Sequence, residues 1–296
     1  MGGRLGDGAR ATLELVDGAL VVEARRGLLG FTRETTRIPL EEVTSLEHLG
    51  ESPSHRGAAS LRVAWAGGEL SFHTLHREEL AAIALETRRA LEERERRLRE
   101  MEREFHASLE GHLALIVLDM ELADALLSLA AGLHGPVDWS RVEEHLRNAQ
   151  AVNQDRAALE NPQPTQVCLE SLAHAVEERQ PREVLAEVWR VVEALSAGCK
   201  ALAEEGDPWF DARLHQWFLE ALVGLWTVWL GSETGVEGLD PEALEPQLQA
   251  LAHRVQETTG TEATPPTPNQ PPPEARATLL ALAQQLEATP FQPHLF

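Results

Sequence analysis

The chain has 296 residues, 43% of them hydrophobic and 25% charged, which suits about two globular domains with real cores. Its formal net charge of −22 is uneven: residues 1–110 carry 16 Arg against 20 Asp and Glu, and residues 111–296 carry 10 basic against 28 acidic residues. The second part therefore repels phosphate backbones, which excludes non-specific nucleic-acid binding through it and favours a partner with a basic surface.

The most apolar windows are Leu113–Leu133 and Ala221–Leu230. The first is interrupted by Asp119, Glu121 and Asp124 and the second has only ten residues. A span needs about 20 apolar residues, so neither crosses a membrane. Met1–Arg10 has no apolar stretch of the signal-peptide kind, and the expected location is the cytoplasm. Cys168 and Cys199 lie 31 residues apart without a CxxC pair or flanking ligands, as expected of small buried hydrophobes in a reducing compartment.

In chain order, Ala11–Val16 and Ala19–Ala24 alternate in polarity around Asp17-Gly18, a hairpin signal that wants positive φ at both central residues. Thr35–Leu40 and Val43–Leu49 read as two more strands, with Pro39 marking an edge or bulge. Gly50–Ala58 is a loop; Leu61–Ala66 and Glu69–Thr74 then flank Gly67-Gly68 as a second tight hairpin. A further strand around Gly30–Arg33 brings the count to six or seven. From Leu75 the spacing turns helical, with Leu80, Ile83, Leu91, Leu98, Met101 and Phe105 on one face and Glu/Arg pairs elsewhere. The run predicts a solvated helix to Gly111 or even Leu133. Read as a coiled-coil seam, it would pair the chain with a second copy.

The remainder is punctuated as helices. Asp138 caps one running to about Leu159, Thr165–Glu178 is a second, and Pro181 opens a third ending near Gly206. Asp207-Pro208 and Asp240-Pro241 each place a capping carboxylate before a first-turn proline. Thr259–Glu274 is Pro-rich and predicts an extended tether, followed by a short helix, Ala275–Ala288, and the tail Pro290–Phe296. The expected domains are thus 1–76 (β domain), 77–110 (capping and connector helix), 111–258 (acidic helical bundle), 259–274 (linker) and 275–296 (short helix and tail).

Chemistry-bearing motifs are scarce. No HExxH, GxSxG, SxxK, Walker-type or GxGxxG pattern occurs. His73 and His76, with Glu78 and Glu79 behind them, have a spacing a metal could use on a helical turn, but they straddle the strand-to-helix junction and read as a solvated strand end. No metal, cofactor or catalytic residue is therefore assigned. Trp209, Phe210, Trp217, Phe218, Trp226 and Trp229 clothe a helix in large apolar groups, as in the central helix of a bundle. Two segments are candidate contact sites. Arg25, Arg26, Leu28, Leu29, Phe31 and Arg33 form an apolar tip among arginines, suited to a membrane interface or a partner. Phe291, Leu295 and Phe296 end the tail and suit an apolar groove on another protein.

The strand order of Thr12–Thr74, the run Ile38-Pro39-Leu40-Glu41-Glu42-Val43-Thr44-Ser45-Leu46, the Gly67-Gly68 hairpin ending in Phe72, and the helix from Arg77 resemble the bacterial pleckstrin-homology-like domains over residues 10–105. The resemblance implies a seven-stranded barrel or sandwich capped by a helix, with a non-enzymatic role in assembling proteins, sometimes at membranes. Lipid-binding relatives carry basic residues around the first hairpin loop, which here is only Asp17-Gly18. The expectation is an α+β protein: a PH-like antiparallel β-barrel or sandwich capped by a long helix, then an all-α helical bundle. It would act as a protein-interaction adaptor or scaffold. Lipid binding through Arg25–Arg37 and an enzyme with an inter-domain site are the alternatives.

Overall fold

The computed structural model describes residues 1–26, 32–51, 57–160, 163–234 and 240–292. It divides into two compact units, Met1–Met101 and Glu102–Phe296. The protein is α+β, an antiparallel sheet followed by helices.

The first unit is one seven-stranded sheet: β1 (Gly2–Leu5), β2 (Arg10–Val16), β3 (Ala19–Arg26), β4 (Thr32–Pro39), β5 (Val43–Leu49), β6 (Ala59–Trp65) and β7 (Gly68–Thr74). Asp17 and Gly18 have φ of 47° and 68°, so the β2–β3 turn is the left-handed pair that matches strand twist. In the second hairpin the paired ends are Trp65 and Gly68, so the turn is Ala66-Gly67, one residue earlier than the Gly-Gly signal suggested. Position 67 tolerates only glycine, because a Cβ there would lie 2.6 Å from the Trp65 indole nitrogen. β1 was not anticipated. Its sequence, Gly-Gly-Arg-Leu, has almost no strand propensity, and it is held by its partners β2 and β7.

The sheet order is β4-β3-β2-β1-β7-β6-β5, which places two consecutive strands at opposite edges. A flat sheet of that size is roughly 29 Å across. The link from Pro39 to Val43 is one 3-10 turn, Leu40–Glu42, reaching about 14 Å at most. The sheet is therefore curled until its edges share a corner. No ladder joins β4 to β5 among the described residues, so the curled sheet does not close there into a hydrogen-bonded barrel.

Alternation sorts the two faces. Ala11, Leu13, Leu20, Val22, Ala24, Ile38, Leu61, Val63 and Phe72 are buried on the inner face, with Leu80 and Ala84 from α1 (Arg77–Gly132). The partners on the opposite face, Arg10, Thr12, Glu14 and Arg25, are solvent-exposed. Along the exposed midsection of α1, Arg97 pairs with Glu93 at 3.2 Å and Arg99 with Glu95. Such exposed pairs contribute little to stability.

The second unit contains the end of α1 and α2 (Trp139–Ala157), α3 (Gln163–Glu177), α4 (Pro181–Glu205), α5 (Arg213–Thr234), α6 (Pro241–Thr259) and α7 (Pro272–Gln285). Asp138 caps α2 through the N–H groups of Ser140 and Arg141, and Asp240 caps α6 through that of Glu242. Asp207 behaves differently. Its carboxylate accepts from the N–H groups of Trp209 and Phe210, but that turn does not continue and the helix starts at Arg213. α5 is the core helix its composition predicts: Phe218, Leu222 and Leu225 are fully buried, and the Trp226 indole N–H donates to Asp124 at 3.0 Å. The stretch between α6 and α7 has no regular structure, yet Ala263 packs on the core and Pro266 is buried. The apolar faces of alanine and proline are enough to lay this segment on the helices instead of leaving it free.

Candidate functional site

The exposed face of the first unit carries an unusual row. Strand register places Arg33 opposite Arg25, Arg25 opposite Arg10, Arg10 opposite Arg4, and Arg4 opposite His73. Directly paired residues share a face, so four arginines and a histidine run side by side across five strands. Like charges directly opposite one another destabilise a sheet, by amounts comparable to the roughly 0.2–1 kcal/mol that a favourable pair contributes. Arg33 is relieved by Glu23 at 3.1 Å. Among the described residues, the side chains of Arg4, Arg10 and Arg25 have neither an ion partner nor a hydrogen bond.

This row floors a cleft of about 600 Å³ walled by Gly2, Thr12, Glu23, Thr74 and His76. Its volume is that of a small-molecule site. Gly2 has no side chain and Thr12 a short one, so the space above the guanidinium groups stays open. The arrangement suits a compact ligand with several negative oxygens, since guanidinium forks bind phosphate or carboxylate in pairs. His73 is buried in β7 and His76 precedes α1, where it pairs with Glu79 at 3.4 Å; both line the cleft.

Of the loop candidates, Arg25 and Arg33 come together in this cleft, whereas Arg26 turns to Asp7 at 3.1 Å and Glu34 at 2.7 Å. Leu28, Leu29 and Phe31 lie outside the described residues. Arg4 and Arg10 were not singled out by sequence: Arg10 is the cross-strand partner of Arg25 within the Asp17-Gly18 hairpin, and Arg4 lies on β1, which has almost no strand signal. Of the tail candidates, Phe291 is half-buried within its own unit, 5.7 Å from the Phe105 ring and 6.1 Å from that of Trp209. Leu295 and Phe296 lie outside the described residues. Phe291→Ala is expected to lower the stability of the helical unit by about 1–2 kcal/mol, from lost burial and two aromatic contacts. A melting temperature equal to that of the parent chain would show that this contact contributes nothing.

The second unit holds a polar seam in its core. Asp119 (α1), Arg156 (α2), Cys199 (α4) and His215 (α5) are all buried. Arg156 Nε donates to Asp119 Oδ1 at 2.5 Å, and its Nη2 pairs with Glu160 at 2.7 Å. The Cys199 thiol lies 3.5 Å from Asp119 Oδ2. Burial pushes the Asp119 carboxyl up to about 6 against the pull of Arg156. Burial, then repulsion from His112 and Arg156, pulls the His215 imidazole down to about 3. A line of contacts runs outward from His215: its Nε2 meets His112 Nδ1 at 2.9 Å, and His112 Nε2 meets Asp207 Oδ2 at 3.3 Å. Burial raises Asp207, but hydrogen bonds from Ser108, Trp209 and His112 outweigh it and hold the group below the usual carboxylate range.

Comparison of the chain with family models, curated proteins and solved structures finds no match.

Proposed function

We propose that the protein is a non-catalytic adaptor, a pleckstrin-homology-like sheet domain joined to an acidic helical domain, whose sheet captures a compact oligoanion in the arginine-floored cleft. The observation that carries this reading is the cross-strand row Arg33–Arg25–Arg10–Arg4, in which three guanidinium groups have no ion partner among the described residues. A sheet that places like charges in register gains stability when an anion neutralises them. The binding surface is the sheet face, away from the two-residue Asp17-Gly18 loop. The acidic helical unit is the natural contact for a protein partner with a basic surface.

Titration of the full chain with inorganic tripolyphosphate tests the reading. The expected result is a saturable rise in melting temperature that shrinks as salt is added. Arg4→Gln with Arg10→Gln should weaken binding at least tenfold. Without ligand, that double variant should melt no lower than the parent, because a repulsion has been removed. Arg62→Gln, on a residue already paired with Glu47 and Glu69, should change nothing. Anionic vesicles provide a second arm: binding that depends on Arg4 and Arg10 would make a lipid headgroup the source of the anion. Failure of both probes, or binding indifferent to the double variant, would refute the proposal.

A further inference from the structure

We infer that Asp119, Cys199 and His215 form a binding site for a divalent transition metal, zinc by its chemistry, inside the helical unit. The three side chains come from α1, α4 and α5, and one ligand atom from each lies within 4.8 Å of the other two. A tetrahedral zinc with bonds of about 2.0–2.3 Å spaces its donors roughly 3.3–3.7 Å apart. The Cys199 Sγ to Asp119 Oδ2 separation of 3.5 Å already falls in that range. A mixed oxygen, sulfur and imidazole set is the borderline-soft environment that suits zinc.

A second, independent observation points to the same place. His215 Nδ1 is buried and has no hydrogen-bond partner among the described residues. Asp207, held as a carboxylate, can only accept, so in the neutral imidazoles His112 donates from Nε2 and accepts at Nδ1, and His215 donates from Nε2. That sequence leaves the lone pair of His215 on Nδ1, buried and without a donor to meet it. An unsatisfied buried acceptor is costly, and a metal ion would satisfy it. Asp207–His112–His215 is also the arrangement by which outer hydrogen bonds fix the tautomer and orientation of a ligating histidine.

Charge balance agrees. Asp119, Glu160 and Arg156 together leave one negative charge in the seam. Binding a divalent ion breaks the Cys199 S–H bond, forms the metal–sulfur bond and releases the proton to solvent. The seam then sums to zero. Arg156 keeps its bond to Asp119 Oδ1, leaving Oδ2 for the metal, so the carboxylate bridges the guanidinium and the ion.

The test is titration of the chelator-treated full chain with Co²⁺, read by absorption. The expected result is one ion per chain, a near-ultraviolet thiolate-to-cobalt band and tetrahedral visible bands, all displaced by Zn²⁺. Cys199→Ser should abolish the thiolate band and weaken binding at least tenfold, as should His215→Gln, while Cys168→Ser leaves the spectrum unaltered. If either ligand variant does not fold, the parent chain still decides: zinc must raise its melting temperature and release about one proton per ion bound. Absence of a stoichiometric cobalt complex, loss of the band in Cys168→Ser, or a parent chain indifferent to zinc would each overturn the assignment.

Discussion

Arg156→Ala should destabilise the helical unit by about 3–5 kcal/mol in the presence of a chelator. Arg156 is 2% exposed and so is Asp119, so truncating the guanidinium leaves a buried carboxylate with no cation beside it. Removal of both partners is a different experiment. Asp119→Leu with Arg156→Met replaces the pair with apolar groups of similar volume and should recover most of the loss, since a buried ion pair costs much of its attraction in desolvation. The cost of the single substitution should also depend on pH. Burial already raises Asp119 to about 6. A carboxyl with a raised folded pKa binds its proton more tightly in the native state, and loss of Arg156 raises it further, so the cost is full only above the variant's own, higher pKa and fades as pH falls from there to that of the parent. Chemical denaturation of the parent chain and the variants at pH 7.5 and pH 5 measures this. A loss that is small, or that grows towards acid, would mean Arg156 is not the partner that permits Asp119 to stay buried.

Gly3→Ala should cost the sheet unit about 1–3 kcal/mol, a large effect for a single methyl group. A Cβ at that position would sit 2.4 Å from the carbonyl oxygen of His73 and 2.5 Å from the Phe72 ring. Neither can give way easily: one is backbone of the neighbouring strand, the other a fully buried side chain in the centre of the core. Phe72→Leu alone should also destabilise, by loss of packing. In combination, the two should cost less than their sum, because the smaller side chain makes room for the methyl group. Strict additivity in thermal or urea melts would place the strain elsewhere, on the His73 carbonyl. The outcome also bears on the cleft, since β1 carries Arg4 between Arg10 and His73.

Much of the architecture was legible before any coordinates. The Asp17-Gly18 hairpin, the Pro181 and Asp240-Pro241 helix starts and the tryptophan-rich core helix rest on interactions within a few residues, which a local sequence pattern encodes directly. The long helix from Arg77 was legible at its start, but its end stood open between Gly111 and Leu133; it runs as one element to Gly132 although the charged run 92–97 interrupts its apolar face. Less legible were β1 and the turn after Trp65. β1 has poor propensity and owes its existence to strands remote in sequence. The turn lies one residue earlier because Gly68 pairs with Trp65 and so belongs to the strand, a register that two successive glycines do not specify.

By itself the sequence determined the α+β class, the acidic helical second part, the helix punctuation apart from the Asp207-Pro208 start, and the identity of the core faces, because periodicity and capping are local properties of the chain. It also marked Arg25 and Arg33 as candidates, though through a loop rather than a sheet face. The two-residue Asp17-Gly18 turn already sets Arg10 opposite Arg25, but only the tertiary structure decided that Arg4 joins them, since β1 has no strand signal of its own and is placed by β2 and β7. The same holds for Asp119, Cys199 and His215, which stand 80 and 16 residues apart in sequence and meet only because α1, α4 and α5 bury their apolar faces together. Cysteine reads as a small hydrophobe and histidine as a core filler until packing sets them beside a buried carboxylate.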